Sequence, residues 1–133
     1  MNQISLYIPG LPPSVNHQNS YGRGRVWKKS TASAYQTTAR VLAMEAMNKA
    51  GHMVFTGPCS VSIDYYFPDK RRRDAANYNK VLLDAFSGVV YQDDRQIGDN
   101  NDSLFSAYPA GWKFIERKFL DRERPRAEVR ISW

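Results

Sequence analysis

The middle of the chain gathers the residue types that phosphate chemistry uses. Arg71-Arg72-Arg73 runs into Asp74, and Ala75, Ala76 and Asn77 follow. Lys80 and Asp84 come next at helical spacing, and Asp93-Asp94 close the segment. Carboxylate oxygens are the ligands that Mg²⁺ prefers, and a bound Mg²⁺ both activates water and stabilises charge on a phosphate. Arginines beside such a site grip phosphates and fix the register of a nucleic-acid backbone. If the chain turns back after a helix, Asp93-Asp94 return towards Asp74, and Lys80 projects to the same end. The same residues have a second reading. Three arginines in a loop make a solvated patch, Asp-Asp after a strand makes a turn, and Lys80 with Asp84 is an i,i+4 surface ion pair. Spacing alone leaves both open.

The elements that must position these groups are readable from periodicity. Residues 3–8 put Ile4, Leu6 and Ile8 on one face of a strand. Pro9, Gly10, Pro12 and Pro13 break regular structure, and residues 14–29 read as a long loop or irregular hairpin around Gly22-Arg23-Gly24-Arg25. Ser30 or Thr31 caps a helix that runs to about Ala50 and stops at Gly51. Its apolar stripe is Tyr35, Ala39, Leu42 and Ala46, widened by Val41 and Met47. Residues 59–67 alternate cleanly, with Cys59, Val61, Ile63, Tyr65 and Phe67 on one face, and Pro68 ends that strand. A second helix spans about residues 77–87, burying Tyr78, Val81, Leu82 and Ala85 and stopping at Gly88. Short strands are expected at residues 89–92, 103–108 and 129–133, with residues 111–126 a basic, poorly periodic connection. The sum is one α+β domain over residues 1–133: a small mixed sheet of four or five strands packed with two helices.

Composition narrows the class. At 133 residues the chain suits one domain with a real core, and 42% apolar side chains exclude a disordered one. A single cysteine forms no internal disulfide, and neither a signal peptide nor a membrane span is legible, so a cytoplasmic protein is expected. The net charge of +6 favours a polyanionic partner. It is distributed as +5 over residues 1–60, −2 over 61–110 and +3 over 111–133. An acidic middle between basic arms suits a metal-binding centre flanked by phosphate-binding surface.

The stretch RRRDAANYNKVLLDAFSGVVYQDDRQI resembles the central motif of the RusA-type Holliday junction resolvases. There a basic run leads into Asp-x-Asp-Asn, a lysine and a Leu-Asp-Ala-type helix, then Asp-Asp and a Gln-Val or Gln-Ile pair. The opening IPGLPPSVN is similar to the family's first strand and its Pro-Pro-Ser-x-Asn. Length and element order agree as well, so the resemblance covers nearly the whole chain. It implies a RusA-like fold and a small homodimeric, Mg²⁺-dependent endonuclease, with Mn²⁺ able to substitute, often of phage or prophage origin. Such enzymes resolve four-way branched DNA by paired nicks and use no small-molecule cofactor and no membrane. By position, Asp74 and Asp94 match catalytic, metal-binding aspartates, with Asp93 beside them as a further ligand. Lys80 matches the required lysine that faces the scissile phosphate, and Arg71, Arg72, Arg73 and Asn77 match the DNA-contacting run.

One position departs from the pattern. The family's second aspartate is here Ala76. Aspartates two apart in an extended segment point to one side and share an ion, and alanine has no ligand atom. The chain is therefore expected to bind junctions with little or no cleavage, whether the alanine is a deliberate replacement or a natural divergence. The alternative is a non-catalytic junction-binding protein.

Weaker candidates complete the reading. Arg23, Arg25, Lys28 and Lys29 interleave with Trp27 and can follow a DNA backbone while the indole stacks on a base. Lys113, Arg117, Lys118, Arg122, Arg124 and Arg126 offer a second basic strip, and Trp112, Phe114 and Phe119 packing or dimer contacts. His17 and His52 lack zinc-ligand spacing, and Cys59 belongs to the core. Pro68-Asp69 with Glu116-Arg117-Lys118 mimics another nuclease pattern, Pro-Asp followed by Glu-x-Lys, but the gap is long and no strand is expected at the second piece.

Overall fold

Period-two burial sets three of the strands, and apolar stripes at helical spacing set the two helices. The computed structural model describes residues 2–13, 19–22, 25–28, 30–98 and 112–133, without the side chains of residues 19–22, 25–28, 30, 31 and 77. The chain order is β1 (Gln3–Pro9), a hairpin of β2 (Asn19–Gly22) and β3 (Arg25–Lys28), and α1 (Ser30–Lys49). Then come β4 (Ser60–Phe67), α2 (Ala76–Phe86), β5 (Phe114–Leu120) and β6 (Arg126–Ser132). Four strands form one mixed sheet in the order β1-β6-β4-β5, in which only the β4–β5 pair is parallel. This is the expected α+β architecture.

Register turns the alternation into a core. Ile4, Ile131 and Val61 lie side by side across three strands, as do Leu6, Val129 and Ile63, and Ile8, Ala127 and Tyr65. All nine are buried, and the helices cover this face. Tyr78 of α2 packs against the rings of Tyr65 and Phe67. The buried Tyr65 hydroxyl donates to Asn79 Oδ1 at 2.7 Å, which fastens α2 over β4. The helices are tied to each other by Gln36, whose Nε2 donates to the Val81 carbonyl at 2.9 Å. Along α1 the buried line is Ala32, Gln36, Ala39, Ala43 and Met47; Val41, expected on the apolar stripe, is 47% exposed. No helix among the described residues is long and apolar enough to cross a membrane.

Three expectations need correction or fall outside the described residues. Residues 89–92 are not a strand: Val89, Val90 and Tyr91 are buried consecutively in a turn opened by Gly88. Gly88 has φ +81, and its N–H donates to the Tyr91 carbonyl. Residues 111–126 are not a plain connection, because they contain β5 and the start of β6. Apolar and charged side chains occur on both faces of β5, Phe114 and Glu116 on one and Ile115 and Arg117 on the other, so no period-two signal marks it. The strand expected at residues 103–108 lies outside the described residues.

Candidate active site

The link from β4 to α2 is built around Asp69 and Arg73. Asp69 Oδ1 accepts from the Arg71 N–H at 2.9 Å and from Arg73 Nη1 at 2.7 Å. The Arg73 guanidinium, followed by the Arg71 N–H, pulls the Asp69 carboxyl down to about 2. Arg73 also lies over the Phe67 ring at 4.8 Å, and Lys118 Nζ donates to its carbonyl at 2.9 Å. This arginine is therefore engaged as a brace, while Arg71 and Arg72 stay exposed.

Beyond the brace the chain enters α2 with an alternation that matters for chemistry. Asp74 is exposed, Ala75 is buried at 3% and Ala76 is exposed again. Positions 74 and 76 are thus both exposed at the head of α2, one with a carboxylate and one with a methyl. Asp74 Oδ1 accepts from the Ala76 N–H at 3.1 Å, doing the capping that Ala75 cannot.

The acidic pair is held by different ties. Tyr91, fully buried, donates its hydroxyl to the Leu83 carbonyl at 2.7 Å. Gln96, 5% exposed, uses its whole amide: Oε1 accepts from the Gln92 and Asp93 N–H groups at 2.8 and 2.9 Å, and Nε2 donates to the Phe55 and Gly57 carbonyls at 2.9 Å each. Asp93 Oδ1 accepts from the Arg95 N–H at 2.9 Å, opening a short 3-10 turn, Asp94–Gln96. On this mount Asp94 is half-buried. Burial, then the hydrogen bond and charge of Asp93, then the charge of Asp84 raise its pKa, and Lys80 opposes them. Asp93 is lowered, first by the Arg95 N–H and then by its bond to Asp94. Asp94 therefore holds a proton more tightly than Asp93 does.

The expected site residues are thus brought together in part. Asp94 stands within electrostatic reach of Lys80, Asp84 and Asp93. Asp74 sits at the start of α2, and none of the described contacts joins it to Asp94. No three His, Cys, Asp or Glu side chains among the described residues are grouped so as to hold a metal ion. The donor chemistry nevertheless suits Mg²⁺, since Asp93 and Asp94 offer hard oxygens, and a desolvated carboxylate beside another is relieved by a divalent cation. Lys80 and Asp84 form no ion pair with each other among the described residues; both act electrostatically on Asp94. Sequence reasoning undervalued Asp84, whose i,i+4 relation to Lys80 was the available signal, and passed over Gln96 as a fastener.

Elsewhere the basic strip is largely committed within the fold. Arg117 pairs with Asp64 at 2.8 Å. Arg126 pairs with Asp121 at 2.7 Å and stacks over Tyr66 at 3.7 Å. Lys118 serves Arg73, leaving Lys113, Arg122 and Arg124 exposed. Glu116-Arg117-Lys118 does lie on a strand, contrary to expectation, because β5 was hidden in the sequence. Even so, Asp69 is bound to Arg73 and Glu116 to Asn79 Nδ2, and no described contact joins the two carboxylates. His52 packs edge-on against Trp133, and the Cys59 thiol, fully buried, is pushed up to about 12. Arg23, Lys29 and His17 lie outside the described residues, as do the side chains of Arg25, Lys28 and Asn77; for those three only the backbone is described.

Residues 9–132 match the family model of endodeoxyribonuclease RusA. The chain belongs to the RusA endodeoxyribonuclease family. It is 32% identical over 100 residues to the crossover junction endodeoxyribonuclease RusA of Escherichia coli strain K12, a match covering 74% of this chain and 80% of that protein. The Shigella sonnei protein of the same name matches to the same extent, and that of Enterobacteria phage 82 at 30% identity. As a RusA family member the chain is a nuclease by descent, and its four-stranded mixed sheet with two helices is a RusA-like α+β fold.

Two measurements follow from the acidic turn. Gln96→Ala strands four backbone groups and should lower unfolding free energy by about 3 kcal/mol in denaturant titration. A change within error would show that the amide fastens nothing. Asp94 has a raised pKa in the fold, so its ionised form costs stability above that pKa, and the cost is absent once pH falls below the ordinary carboxylate range. Asp94→Asn in metal-free buffer should therefore melt at higher temperature at pH 7, with the gain vanishing by about pH 3. A lower melting temperature at pH 7 would contradict the desolvation.

Proposed function

We propose that this chain is a resolvase-type, junction-binding member of the RusA family, acting on four-way branched DNA as a homodimer in the cytoplasm. Its own cleavage is impaired because Ala76 stands at a metal-binding position. The observation that carries this reading is the shared exposure of positions 74 and 76 at the head of α2, where a second carboxylate would complete the set begun by Asp74. The names of the relatives support the substrate, since each is a crossover junction endodeoxyribonuclease.

In the complete site Asp74, Asp94 and Asp93 would hold Mg²⁺ together with a carboxylate at position 76. Bound there, the ion supplies an activated water and charge stabilisation at the scissile phosphate. The chain's own residues do the rest. Arg71 and Arg72 grip backbone phosphates on either side. Lys80, close to Asp94, places an ammonium where negative charge develops on the phosphate. The exposed methyl of Ala76 favours the second reading as well, a protein that binds junctions and never cuts them.

Competition binding in EDTA separates these from a general nucleic-acid binder. A four-way junction should bind at least about tenfold more tightly than a linear duplex or single strand of the same sequence. Arg71→Ala with Arg72→Ala should weaken all DNA binding and reduce the salt slope by about two. Equal affinity for junction and duplex, or tighter binding of single-stranded RNA, would overturn the assignment.

A further inference from the structure

The loop that delivers Asp74 is built on a device that the fold uses twice. In the first copy Asp69 Oδ1 accepts from the N–H two residues on and from Arg73 Nη1 at 2.7 Å, and Arg73 lies over the Phe67 ring. Arg71 and Arg72 are left exposed between the two. The second copy joins β5 to β6. Asp121 Oδ1 accepts from the Glu123 and Arg124 N–H groups at 3.1 Å each, and Asp121 Oδ2 accepts from Arg126 Nη1 at 2.7 Å. Arg126 lies over the Tyr66 ring at 3.7 Å. Arg122 and Arg124 are left exposed between the two, and neither has an ion pair among the described residues. In each copy the aspartate is committed to an arginine and that arginine to a ring, so the exposed pair carries the free charge.

The two loops leave the same end of the sheet. Phe67 and Leu120 are the last register pair of β4 and β5, and the Asp121 N–H donates to the Phe67 carbonyl at 2.8 Å. Phe67 is buried on the helix face and its neighbour Tyr66 lies on the open face, so the loops are braced from opposite sides of one sheet end. The far root of the second loop is held by Gly10, whose N–H donates to the Pro125 carbonyl at 2.9 Å. Arg124 is pinned at both backbone groups, since its carbonyl accepts from Arg126 Nη1 at 3.0 Å. A turn so fixed presents its side chains with little ordering left to do on binding. We propose that the turn at residues 121–125 is a second phosphate grip for DNA, in which Arg122 and Arg124 hold backbone phosphates beside those held by Arg71 and Arg72. Arginine suits that work, because its planar fork meets two phosphate oxygens at once. Glu123 stands between them and weakens the grip by its charge. The ligand class rests on the DNA reading above, whereas the repeated device is a property of the fold.

The test is binding of a fluorescent four-way junction by the full chain, in EDTA over a range of salt. Arg122→Ala with Arg124→Ala should weaken binding about tenfold or more and reduce the salt slope by about 1.8, at about 0.9 per phosphate contact. Glu123→Gln should tighten binding severalfold, a gain that misfolding cannot produce. Lys49→Glu lowers the net charge as much as the double variant does, but near the opposite end of the sheet, where His52 packs on Trp133. It should leave the slope unchanged. An unchanged slope in the double variant, or an equal loss in Lys49→Glu, overturns the grip. Linear duplex measured alongside keeps the two ideas apart. A slope that falls while junction and duplex bind equally keeps the grip and sinks the junction reading, and a junction preference with an unchanged slope does the reverse.

Discussion

The four hydrogen bonds of the Gln96 amide decide where the acidic pair of this chain can stand. Backbone groups of two loops meet at a buried side chain that has two acceptor sites and two donors, and all four are used. A buried amide so satisfied is rigid, because moving it strands several partners at once. The consequence is electrostatic. Asp94 is kept half out of water beside Asp93 and Asp84, an arrangement that a free loop would relax by swinging a carboxylate away. Cross-links from residues 55–59, Phe55 stacked on Trp133 among them, extend that rigidity to the end of the chain.

A second fixed point lies at the other end of α2. Asp69, Arg73, Phe67 and Lys118 hold the loop that delivers Asp74, so one of three consecutive arginines is consumed in positioning the next residues. Between the two anchors α2 presents Ala76, Lys80 and Asp84 one turn apart along one face. On the proposed reading this row is the floor of a metal and phosphate site from which one carboxylate is missing. The loss is local: a methyl at an exposed position leaves the cap from Asp74 and the core beneath Ala75 untouched. Junction binding and cleavage should therefore separate cleanly in this chain.

Much of this was legible in the sequence, and what was not has physical reasons. Clean alternation gave β1 and β4, and the stripes gave both helices to within one residue of their ends. β5 escaped because an edge strand buries little and its pattern serves other contacts, Glu116 to Asn79 and Lys118 to Arg73. The turn at residues 89–92 passed for a strand because three buried side chains in succession look alike in either state. Site residues were named from spacing and resemblance, but their supports, Gln96 and the Asp69–Arg73 brace, act through loops whose partners lie far along the chain. No local pattern announces a side chain that binds 41 residues away, as Gln96 does with Phe55.

Cleavage of a synthetic four-way DNA junction with Mg²⁺, by this chain and by an Ala76→Asp version side by side, is the most direct test. Both should bind the junction, and only the Ala76→Asp version should make paired nicks. Equal cutting by the unchanged chain would contradict the role given to position 76. Binding without cutting by both would leave a junction-binding protein that has lost more than one carboxylate.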